Sequence, residues 1–99
     1  MAMAALSRRR FQISVEPWTG FEPAQGGVCV MLWAHERYTR LVEAHQLRDD
    51  VALADWLTGV VARYGRENLS VDWTESLRQR KKLALTVARC LEVSIPRSA

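Results

Sequence analysis

Between residues 11 and 16 apolar and polar side chains alternate, with Phe11, Ile13 and Val15 set against Gln12, Ser14 and Glu16. A period of two is what a strand buried on one face requires. Pro17 ends the alternation or marks a sheet edge. The next stretch, WTGFEPAQGG, holds Gly20, Pro23, Gly26 and Gly27 and reads as a loop too long for a tight two-residue hairpin. VCVMLW then follows without a polar residue, as in a strand covered on both faces: Val28, Val30 and Leu32 on one side, Cys29, Met31 and Trp33 on the other. These two strands are expected to pair antiparallel.

From Glu36 the period changes, and Tyr38, Leu41, Val42 and His45 fall at helical spacing, which predicts a short first helix. Asp49 or Asp50 supplies an N-cap for a second, along which Leu53, Trp56, Leu57, Val60, Val61 and Tyr64 recur before Gly65 closes it. A third helix is predicted after Asp72, whose carboxylate with Glu75 resembles a capping box, and it runs to about Val93 before Pro96. Trp73, Leu77, Ala84, Val87, Ala88 and Leu91 form its apolar arc. Arg78, Lys81, Lys82 and Arg89 gather opposite, with Leu85 in their midst. Arg80 falls inside the apolar arc and is expected to snorkel past the core edge.

The resulting order, β-β-α-α-α, predicts a small single α+β domain in which an N-terminal antiparallel β-hairpin packs against three helices. The domain spans 10–95, preceded by a mobile arm, 1–9, and followed by a tail, 96–99. Two strands alone are marginal in water, so the helices must cover one face of the ribbon or a partner must complete the sheet. The open strand edges and Leu85 leave a homodimer possible.

Composition narrows the function more than the fold. A chain of 99 residues, 48% hydrophobic and 25% charged, has enough apolar side chains for one core only. A net charge of +3 favours acidic partners without the excess of a histone-like tail. The basic residues are nearly all arginine, a usage common in GC-rich bacterial genomes. MAMAALSRRR places charge after a very short apolar stretch, the reverse of a secretory signal, and the longest apolar run, 28–34, is far too short to span a membrane. A soluble cytoplasmic protein with no membrane partner is expected.

No catalytic constellation is visible. His35 lacks the second histidine that HExxH would need, since residue 39 is Thr39. His45 with Glu43 and Asp49 could converge on a metal, but its place on an apolar stripe suits a boundary histidine better, so neither metal nor cofactor is expected. Ser14, Ser70 and Ser76 have no GxSxG context, and the glycines match no phosphate loop. Cys29 and Cys90 lack CxxC spacing and read as reduced packing residues.

What remains are binding surfaces. Trp18 and Phe21, in a Gly/Pro-rich loop, are the aromatics least explained by packing, whereas Trp56 and Trp73 lie on core stripes and Trp33 is ambiguous. An apolar Leu85 rimmed by Arg78, Lys81, Lys82 and Arg89 suits a protein partner. The leading expectation is therefore a non-enzymatic protein-binding module, an inhibitor or adaptor, similar in size and character alone to the small inhibitors of phages and mobile elements, anti-CRISPR proteins among them. The alternative is a nucleic-acid-binding accessory protein that contacts phosphates through the same cations and Arg8, Arg9 and Arg10.

Overall fold

A computed structural model of the chain describes residues 10–18 and 27–97. The expected arm, with Arg8 and Arg9, lies outside the described residues, as does Phe21. The elements run β1 (Phe11–Trp18), β2 (Gly27–His35), β3 (Thr39–Leu47), α1 (Asp50–Tyr64), a 3-10 turn (Arg66–Asn68), β4 (Leu69–Asp72), α2 (Glu75–Gln79) and α3 (Lys81–Leu91). The four strands form one mixed sheet in the order β3-β2-β1-β4, with β1 antiparallel to β2 and parallel to β4. The result is a small α+β domain with a four-stranded sheet and three α-helices among the described residues.

The alternation in β1 and β2 decides where the core lies. Ile13, Val15, Val28, Val30 and Leu32 are fully buried in one cluster with Leu53, Leu57 and Val60 of α1, Leu77 of α2, and Leu83, Val87 and Leu91 of α3. All three helices therefore cover the same side of the sheet. Each of these fully buried aliphatic side chains contributes about 1.5–3 kcal/mol of transfer free energy. α1 starts where the sequence indicates: the Asp49 side chain accepts from Ala52 N, and Gly65 ends the helix at φ 90, a conformation open to glycine.

The segment expected as a first helix is the strand β3. Its apolar positions imitate helical spacing because the pairing with β2 shifts between Leu32 and Trp33, where Leu32 lies opposite Glu43 but Trp33 opposite Leu41. The extra residue, Val42, packs against the core, so Val42 and Glu43 face the helices in succession. β-Branched Thr39 and Val42 favour the extended form, and pairing with β2 outweighs the apparent stripe.

Further expectations are corrected. The segment between the helices predicted from Asp49 and from Asp72 contains a strand, β4, in which Leu69 lies beside Phe11 and Val71 beside Ile13. The chain thus completes its own sheet instead of leaving a two-stranded ribbon.

The long third helix is broken at Arg80, whose φ −94 and ψ 86 end α2 and precede α3. An unbroken helix would carry Arg80 into the apolar arc. The break leaves Arg80 exposed, and it brings Leu83 into the core alongside Ala84. Thr74 rather than Asp72 caps α2, accepting from Leu77 N at 3.2 Å, while Asp72 ends β4. α3 stops at Leu91 because Glu92 adopts the left-handed conformation, φ 56.

Candidate functional site

The second face of β2 is not covered as a buried strand's would be. Cys29, Met31 and Trp33 point away from the core, and each is only partly buried. Cross-strand neighbours extend this face: Gln12, Ser14 and Glu16 on β1, Thr39, Leu41, Ala44 and Gln46 on β3, and Ser70 and Asp72 on β4. Trp33 sits near its centre, with Nε1 donating to the Ser14 hydroxyl at 3.2 Å. That bond fixes the indole across β1.

Beyond Trp33 a polar chain crosses three strands. His35 Nε2 lies 3.1 Å from Gln12 Oε1, and His35 Nδ1 lies 3.3 Å from the Thr39 hydroxyl. An amide oxygen only accepts, so Nε2 carries the proton, and in a neutral ring Nδ1 accepts from Thr39. Gln12, Ser14, Trp33, His35, Thr39 and Asp72 line a shallow depression of about 280 Å³. Of these, Trp33 is bonded to Ser14, and His35 to Gln12 and Thr39, an arrangement suited to shaping a contact surface. Trp18 ends β1 on this same face, its ring 3.7 Å from where a Cβ on Gly27 would stand.

The cationic residues lie on the other side of the molecule. Lys81, Lys82 and Arg89 are exposed on α3 around Leu85, which is 47% exposed. Arg78 belongs to α2, beyond the break, and is half-buried. Of the nearby carboxylates, Glu75 accepts from Gln79 Nε2 at 3.2 Å and Glu92 meets Arg66 at 3.8 Å. Trp18 and the cations around Leu85 are therefore two surfaces on opposite sides of the sheet.

Glu43 organises a third cluster, where β3 meets α1. Its Oε1 accepts from Trp56 Nε1 at 3.0 Å and from His45 Nε2 at 2.7 Å, and its Oε2 lies 3.4 Å from Arg63. The Trp56 and His45 hydrogen bonds, with Arg63 nearby, hold the Glu43 carboxyl below its ordinary value despite the opposing effect of burial. His45 thus meets Glu43, while Asp49 is engaged in capping α1. Among the described residues no group of three or more His, Cys, Asp or Glu side chains is placed to hold a metal ion. Trp56 and Trp73 pack against the core, as their spacing indicates.

Both cysteines are free thiols: Cys29 is on the face turned away from the described helices, and Cys90 packs against the core from α3. Burial pushes the Cys90 thiol up, with Arg66 acting in the other direction. None of the described helices is long and apolar enough to cross a membrane. Sequence reasoning missed Met31 and Trp33 as surface residues, although their common parity was legible; what it lacked was the placement of every helix on the Val28, Val30 and Leu32 side. No protein-family model matches the chain, and no curated protein or solved structure shows significant similarity to it.

Proposed function

We propose that this chain is a non-enzymatic protein-binding module, an inhibitor or adaptor, whose main contact surface is the face of the sheet turned away from the three described helices. One observation carries the reading: Met31 and Trp33, with Cys29 and Leu41 beside them, form an apolar strip on the side of the sheet away from all three helices. Aromatic residues fixed on a rigid sheet are typical anchors of protein interfaces, because little rotamer freedom remains to be lost on binding. The partner is an apolar protein surface. Stacking of nucleic-acid bases on Trp33 fits less well, since such platforms lie in cationic grooves and this face carries Glu16 and Asp72.

A second reading rests on α3. Lys81, Lys82 and Arg89 have no carboxylate partner among the described residues, so nucleic-acid phosphates could engage them. Leu85 in their midst favours an acidic, partly apolar protein surface there too.

The test is affinity capture with three baits: wild type, Met31→Ser/Trp33→Ala, and Lys81→Glu/Lys82→Glu. Captured proteins and nucleic acids are quantified at low and high salt. A protein retained by wild type and by the lysine variant, but lost from the Trp33 variant, supports the sheet-face reading. Nucleic acid retained by wild type, released by salt and lost from the lysine variant replaces it with the second.

A further inference from the structure

We propose that the outer edge of β3 is the seam of a two-fold dimer, in which Thr39–Leu47 pairs antiparallel with the same strand of a second copy. This goes beyond the sheet-face reading and does not depend on it. β3 ends the sheet on one side, with no described strand beyond it, and at nine residues it is far longer than the four-residue β4 at the other edge. Exposed edges are usually blunted by lysine, proline, shortness, a bulge or an inward-pointing charge, and of these β3 carries the last two, at the shift beside Val42 and at Glu43. TRLVEAHQL has neither lysine nor proline.

The bulge selects one register. Arg40, Val42, Glu43, His45 and Leu47 take the helix side of β3, while Thr39, Leu41, Ala44 and Gln46 take the open side. Paired residues of antiparallel strands must share a face. With the axis between residues 42 and 43, Val42 meets Glu43 of the second copy, Leu41 meets Ala44, Arg40 meets His45 and Thr39 meets Gln46. Every pair matches. A shift of one residue mismatches every pair off the axis, and a shift of two mismatches the central ones. The irregularity that would spoil pairing with a straight strand meets its own counterpart.

The side chains also fit. Leu41, 46% exposed in the single chain, would be covered by Ala44 of the second copy. Because Ala44 neighbours Met31 and Leu41 neighbours Trp33, an apolar row would run from Met31 through Ala44 to Leu41 and Trp33 of the second copy. On the helix side Arg40 lies diagonal to Glu43 of the second copy, a spacing of roughly 7–8 Å that an arginine bridges, and this repeats across the axis. Arg40 has only a loose, exposed ion pair with Glu36, at 4.0 Å, to give up.

A single strand pair falls at the small end of interface sizes, below about 1,200 Å², so association in the micromolar range is expected. Sedimentation equilibrium of the full chain, from about 1 μM to several hundred μM, should show the mass rising from one chain towards two. Ala44→Lys, at an exposed position, should remain monomeric with an unchanged circular dichroism spectrum, while Val93→Lys on the helix side should still dimerise. Register is read by mixing Leu41→Cys protein with Ala44→Cys protein under mild oxidation and mapping the bridged peptides. A link between positions 41 and 44 supports the seam. A wild type that stays monomeric throughout, or an Ala44→Lys variant that dimerises like wild type, overturns it.

Discussion

Trp56 donates its indole N–H to Glu43 at 3.0 Å, and through this bond the edge strand β3 is fastened to α1. The indole is half-buried and the carboxylate is ionised, so the bond is charge-assisted. Trp56→Phe keeps an aromatic ring against the core and removes the donor together with part of the indole's packing surface. A loss of about 1–2 kcal/mol is expected in urea unfolding.

The same carboxylate makes stability depend on acid. Its folded-state value lies below the ordinary 4.5, so its contribution is complete above that range and disappears as pH falls through the lowered value. Thermal unfolding of wild type and Glu43→Gln should therefore differ most near about pH 7 and converge in the acid range below about pH 4. A gap that stays constant with pH would count against the ionised carboxylate as its source.

Position along α1 sets the cost of truncation. Leu57 is fully buried among the sheet residues, whereas Val51 is 65% exposed. Leu57→Ala should lose about 2–5 kcal/mol. Val51→Ala should stay within about 0.5 kcal/mol, as measured by the same denaturant midpoint.

Glu92 holds a left-handed backbone that suits glycine. Its ion pair with Arg66 is exposed and contributes little. Glu92→Gly should raise stability by up to about 1 kcal/mol, since roughly 1–2 kcal/mol of backbone strain is relieved and part is offset by glycine's greater chain entropy. Differential scanning calorimetry would report the shift.

Arg80 tests the break between α2 and α3. An arginine snorkelling from a helix interior would lose packing when truncated, whereas an exposed residue at a junction loses almost nothing. Arg80→Ala should change stability by less than about 0.5 kcal/mol.

Local chemistry made β1, β2 and α1 legible. Alternation from Phe11 to Glu16, an apolar run from Val28, and Asp49 and Gly65 at the two ends of a periodic stretch each fix an element without help from the rest of the chain. The misread elements are those whose form depends on a distant neighbour. Val42 and Glu43 both face the helices only because β2 shifts register, and Leu69 and Val71 form a strand only because β1 lies beside them. Trp33 was visible as an aromatic at a strand end. That its side of the sheet lies away from the helices became evident only once all three were placed.

The break at Arg80 also has a consequence for motion. α2 has five residues, well short of the roughly 12–15 an isolated helix needs in water, so it persists only while Leu77 occupies the core. The amide of Ala84, in the first turn of α3, bonds to the Arg80 carbonyl, so this junction is also where α3 begins. Withdrawal of Leu77 would therefore release the short helix and fray the next one in the same event. In hydrogen exchange, residues 75–84 should open as one cooperative unit.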